Sequence, residues 1–136
     1  MNKFIAIVGL VTCIILASSN TTKMVTHLYN LDNSNNKITV GAKVNDTLTF
    51  TMEGNPTTGY NWFCNIDSNQ TDFQIIKDAY EALGTPKPDG WVGASSKKVY
   101  QFVALKTGTF DIIFEYKRSW EGNPPIKHKS VLVKVD

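Results

Sequence analysis

Cysteine, histidine and long apolar runs are all scarce in this chain, and each scarcity closes off a class of protein. Cys13 and Cys64 are the only cysteines. Cys13 lies in a leader-like segment, so its removal leaves no intramolecular disulfide to hold a secreted domain together. The two histidines, His27 and His128, fall on separate strand-like stretches. No His, Cys and carboxylate cluster has metal-ligand spacing, so no metal and no other cofactor is expected. The same poverty argues against an enzyme. Cys64 shares the inward parity of Trp62 and Ile66, and a buried cysteine without a cationic neighbour is a small hydrophobe rather than a thiolate.

An excess of one charge sign is also missing. Lys and Arg number 14 against 12 Asp and Glu, which gives no reason to expect nucleic acid or an anionic membrane as partner. Lys97-Lys98 and Lys127-His128-Lys129 read as solvated strand faces. The one extended apolar run, residues 4–16, follows Lys3 and ends on the small residues Ala17-Ser18-Ser19. A transmembrane anchor needs roughly 20 apolar residues, so residues 1–19 read as a cleavable signal peptide, with an uncleaved signal anchor as the alternative. The resulting expectation is a secretory-pathway protein, secreted or in the endosomal or lysosomal lumen, with no stable membrane anchor after cleavage. Residues 20–136 then form one domain of formal charge near +1, the +2 of the whole chain less Lys3. Asn20, Asn45 and Asn69 each open an Asn-x-Ser/Thr acceptor pattern for glycosylation.

Helical periodicity is absent, and period-two alternation takes its place. Leu48, Phe50 and Met52 alternate with Thr47, Thr49 and Thr51; Phe110, Ile112, Phe114 and Tyr116 alternate with Asp111, Ile113, Glu115 and Lys117. Each pattern predicts a strand with one buried face. Tyr60, Trp62, Cys64 and Ile66 share one parity; Tyr100, Phe102 and Ala104 give a further strand, and Val131, Val133 and Val135 close the chain. Residues 73–77 and 25–31 are weaker strands, and 37–40 a short edge strand. Residues 78–83 read as a strand end, with a helical turn as the alternative. Short strands between Gly, Pro and Asn-rich turns predict an all-β, immunoglobulin-like antiparallel β-sandwich of about seven strands. Because consecutive antiparallel strands reverse direction, residues 54–59, 84–96 and 118–126 should share one end. Asn45 and Asn69 should lie at the other.

The first of these loops, Asn55-Pro56-Thr57-Thr58-Gly59-Tyr60, is stiff and polar. Pro56 fixes its own φ and biases Asn55 to extended backbone, and Gly59 is free to take a positive φ. Trp62, two residues into its strand, reads as core, whereas Trp91 and Trp120 sit among Gly, Pro and charged residues where no core periodicity demands an indole. Their competing role is to fold back and cap the sandwich end.

In these loops the chain resembles the chagasin-like inhibitors of papain-family cysteine peptidases. The family's NPTTGY/F loop is matched by residues 55–60. Its glycine-rich GxGG loop is matched in part by Gly93-Ala94-Ser95-Ser96, and its Arg-Pro-Trp loop by Arg118-Ser119-Trp120, which lacks the proline. The resemblance implies a monomeric, reversible, tight-binding inhibitor of papain-like (clan CA) peptidases, cathepsin L-like or B-like. Residues 55–60 would enter the cleft over the catalytic cysteine, with Thr57 and Thr58 at the tip. Trp91, Trp120, Arg118, Ser119 and residues 93–96 would flank it as a tripod. The competing class is an immunoglobulin-like adhesion or carbohydrate-recognition module using the same exposed aromatics.

Overall fold

The computed structural model describes residues 23–67, 72–82 and 96–136. The signal-peptide expectation, Cys13, Leu83 and the acceptors Asn20 and Asn69 lie outside them. Among the described residues eight strands run in chain order: β1 (Thr26–Asn30), β2 (Lys37–Ala42), β3 (Thr47–Gly54), β4 (Asn61–Asp67), β5 (Phe73–Ala82), β6 (Ser96–Ala104), β7 (Gly108–Lys117) and β8 (Lys127–Val135). They form two four-stranded sheets, ordered β1-β3-β6-β5 and β2-β8-β7-β4. Residues 78–82 continue β5 as a strand.

The sandwich is not purely antiparallel. β1 pairs β3 in parallel, and β2 pairs β8 in parallel. The reason is β2: as a full strand between β1 and β3 it adds a second reversal, so β3 runs in the direction of β1. From β3 onward the alternation is undisturbed. Gly54 faces Ser96, which faces Ala82; Asn61 faces Lys117, and Tyr116 faces Lys127. The β3–β4, β5–β6 and β7–β8 connections therefore leave one end. The β1–β2 connection joins them there, where Asp32 Oδ1 accepts from the Glu53 N–H at 2.8 Å and the Ser34 carbonyl accepts from Lys129 Nζ at 2.8 Å.

Between the sheets lie the inward members of each alternation, with Phe50, Phe102, Phe114, Leu48, Met52, Ile112, Val131 and Val133 fully buried. Phe50 packs on Phe114 and Phe102 with ring centroids 5.5 and 6.0 Å apart, and Tyr100 on Phe114 at 5.3 Å. Each such side chain contributes about 1.5–3 kcal/mol by leaving water, which lets packing replace the missing disulfide. Trp62 is in this core, as its position on the strand predicts.

The expectation of one buried face fails on β3, where Thr49 and Thr51 are buried as well. β3 is central, so long neighbours close over its short outer side chains: Gln101 Nε2 donates to Thr49 Oγ1, and Thr51 Oγ1 donates to the Tyr29 carbonyl. Lys98 is likewise not on a solvated face. It lies on the inward parity beside Tyr100, buried, paired with Asp78 and 4.7 and 4.9 Å from the Tyr80 and Tyr100 ring centres.

Candidate functional site: a preorganised loop at one end of the sandwich

Residues 55–60 are stiffened from within. Asn55 is extended at φ −128° and ψ 92°, Pro56–Thr58 form one 3-10 turn, and Gly59 closes it in the left-handed region at φ 82°. The Thr58 and Gly59 N–H groups donate to the Asn55 and Pro56 carbonyls at 3.2 and 3.1 Å. Asn55 Oδ1 accepts from the Thr57 N–H at 3.2 Å and from the Thr57 hydroxyl, and Thr58 Oγ1 donates to the Asn55 carbonyl at 2.7 Å. Both threonines remain exposed, yet their hydroxyl protons are already committed inside the loop.

The loop is also gripped from outside. The Tyr116 phenol accepts from the Asn55 N–H at 3.0 Å, joining the first residue of the loop to β7 in the opposite sheet. Tyr116 in turn packs against Tyr60 at 5.5 Å and Trp62 at 5.1 Å between ring centroids. Trp62 Nε1 donates to the Glu53 carbonyl at 3.0 Å, and Tyr80 and Tyr100 hydroxyls bond the Trp62 backbone at 3.0 and 2.9 Å. Strand alternation places Tyr116 inward but says nothing of its hydroxyl. The available signal was chemical: a tyrosine buried at a strand end needs a partner for its O–H.

Arg118 bridges the third loop to the first. Its Nε and Nη2 donate to the Thr58 carbonyl at 3.3 and 3.1 Å, its Nη1 pairs with Glu121 Oε1 at 3.0 Å, and its guanidinium lies 4.3 Å from the Tyr60 ring centre. The Arg118 guanidinium, which the resemblance sets beside the cleft, is thus turned onto this chain's own loop. Ser119 is the second residue of a turn in which the Glu121 N–H donates to the Arg118 carbonyl at 3.3 Å, a position that favours proline. Trp120 is 68% exposed, so it is not buried as a cap on the core. Its ring edge rests against Gly59, where an added Cβ would lie 2.5 Å from Trp120 Cη2.

Of the second loop, Ser96 is placed: its Oγ donates to the Gly54 carbonyl at 2.9 Å, tying the start of β6 to the root of the first loop. Trp91, Gly93, Ala94 and Ser95 lie outside the described residues. Asn45, at φ 72°, is exposed on the turn between β2 and β3, at the opposite end of the sandwich. Among the described residues no group of three or more His, Cys, Asp or Glu side chains is arranged to hold a metal ion.

The polar groups at this end of the sandwich thus hold one exposed loop rigid. Residues 41–135 match the model of the chagasin family of peptidase inhibitors, I42, and the chain belongs to that family. It is a family of inhibitors, not of enzymes. The chain is 36% identical over 90 residues to amoebiasin-2 of Entamoeba histolytica, covering 65% of this chain and 70% of that protein. To amoebiasin-1 of the same organism it is 29% identical over 92 residues, covering 68% and 82%. Among solved structures it resembles the E. histolytica cysteine protease inhibitor EhICP2 with a TM-score of 0.69 and 29% identity, covering 84% of this chain and 98% of that one. PbICP-C, solved in complex with falcipain-2, shares the fold at a TM-score of 0.55 and 21% identity, over 80% and 98% of the two chains.

Proposed function

We propose that this chain is a reversible, tight-binding inhibitor of papain-like cysteine peptidases, acting as a monomer by filling the active-site cleft with residues 55–60. The observation that carries the reading is the internal bonding of that loop, which leaves little freedom to lose on binding. Papain-like peptidases hold a thiolate beside an imidazolium at the floor of an open cleft. Exposed Thr57 and Thr58 would approach it, and the exposed Trp120 indole would add a large amphipathic contact beside them. The same stiffness resists the extended pose that cleavage requires. The complex of the similarly folded PbICP-C with falcipain-2 supports a peptidase as partner. Cathepsin L-like and B-like enzymes are the target classes, met in the secretory pathway, outside the cell or in an endosomal or lysosomal lumen.

The test is titration of residues 20–136 against papain with a fluorogenic peptide substrate. Expected is inhibition on the order of nanomolar, reversed on dilution, with the inhibitor uncut. Trp120→Ala should weaken it by about 2 kcal/mol, roughly thirtyfold. Absence of inhibition, or steady cleavage within residues 55–60, would remove the reading.

A further inference from the structure

The Thr58 carbonyl ends a 3-10 turn, where carbonyls have no partner within the turn itself. Arg118 supplies that partner, and every side of its guanidinium is engaged: one edge on Thr58, the third nitrogen on Glu121, the face on Tyr60. A planar fork with fixed donor directions can satisfy Thr58 only if the guanidinium is turned to the right angle, and Glu121 sets that angle. Glu121 is itself held by the turn that returns its N–H to the Arg118 carbonyl at 3.3 Å. The same turn carries Trp120 onto Gly59. The first and third loops therefore meet in the free chain as one body.

We propose that Glu121 is a positioning residue for inhibition. By holding the Arg118 guanidinium on the Thr58 carbonyl it locks residues 55–60 and 118–121 into a single preassembled wedge. This inference rests on the inhibitory reading above and supplies what it lacks at Ser119, where a proline would have stiffened the turn directly. An ion pair as open as this one, with Arg118 and Glu121 side chains 33% and 32% exposed, does little for global stability. Its effect belongs to binding, because an Arg118 free to sample rotamers has to be ordered when the wedge enters a cleft.

The experiment compares wild type, Glu121→Ala, Arg118→Lys and the double variant. It measures papain inhibition together with hydrogen exchange of the Arg118 Nε–H by NMR in the free protein. In the wild type the Nε–H should be protected. In Glu121→Ala it should exchange freely, inhibition should weaken about three- to tenfold, and the melting temperature should barely move. In the Arg118→Lys background, Glu121→Ala should add nothing further, since it acts through the arginine. Full potency in Glu121→Ala overturns the proposal, as does a loss that simply adds to that of Arg118→Lys, or an unprotected Nε–H in the wild type. A wild-type protein that fails to inhibit papain overturns the inhibitory reading instead, and the exchange measurement then decides the Arg118 brace by itself.

Discussion

Gly59 meets two constraints at one atom. Its φ of 82° strains any residue with a Cβ, and the space a Cβ would take is filled by the Trp120 ring. Gly59→Ala should cost about 1–2 kcal/mol in stability. Because it also displaces Trp120, it should weaken papain inhibition by more than a stability loss accounts for, to be read from thermal melts beside inhibition constants. Unchanged inhibition would mean that Trp120 does not work from its place on Gly59. The positive φ was readable from a glycine at the end of a polar turn, but the indole against it was not. Cys64 is half-buried and has Lys98 as a cationic neighbour, neither of which parity foresaw, yet its thiol is suppressed as parity led one to expect. Burial, and secondarily the Asp78 charge, push its thiol up to about 12 against the opposing pull of Lys98. Thiolate is then negligible at pH 8, and a thiol reagent should label the folded protein slowly and the urea-unfolded protein fast. Rapid labelling of the folded chain would contradict the burial.

The attachment of β1 depends on charge. Among the described residues it is an edge strand paired with β3, and Asp46, at the turn into β3, fastens it. Asp46 accepts from the Val25 N–H at 3.4 Å and the Lys43 N–H at 2.9 Å, and His27 Nε2 lies 2.9 Å from its Oδ2. Burial raises the Asp46 carboxyl, but the bonds from Lys43, His27 and Val25 outweigh it and hold it below the usual carboxylate range. A carboxyl lowered in the folded state stabilises above its unfolded value and loses that contribution as pH falls through its folded one. Asp46→Asn should therefore be less stable than wild type at pH 7. The gap should close as the medium is acidified below the ordinary carboxylate range, as measured by urea unfolding. A gap that is constant with pH would show that the charge is not what holds β1. The sequence marked residues 25–31 as a weaker candidate for a strand; Thr26–Asn30 do form one, and the face it offers is half-exposed.

Taken whole, the molecule separates its tasks by end and by flank. The loop end is held by Tyr116, Tyr60, Trp62 and Arg118, and the far end by Asp46, so Asp46→Asn should leave papain inhibition at pH 7 unchanged. On one flank β4 and β5 are edge strands, each with a single sheet neighbour among the described residues, and Phe63, Ile75 and Ile76 are exposed there. Two features blunt that edge: the bulge between Ile75 and Lys77, and Lys98 pointing inward beneath it. Reading Lys97-Lys98 as a solvated pair missed the second, because a charge on an inward parity counts as an anomaly until an open flank gives it Asp78 and two tyrosines.

Alternation located the main strands, most of their inward apolar residues and the end from which the β3–β4, β5–β6 and β7–β8 connections leave, because side-chain parity and strand reversal are local rules that apply at every step of the chain. The family was legible in residues 55–60 because a Pro and a Gly at fixed positions constrain the backbone wherever the loop is found. Tertiary structure alone decided the parallel pairing of β1 with β3 and of β2 with β8, the burial of Thr49, Thr51 and Lys98, and the use of Arg118 and Tyr116 to grip the first loop. Each depends on which residues far apart in the chain become neighbours. A hydrogen-bond donor has no assigned acceptor until the sheets have packed and set the distance between them.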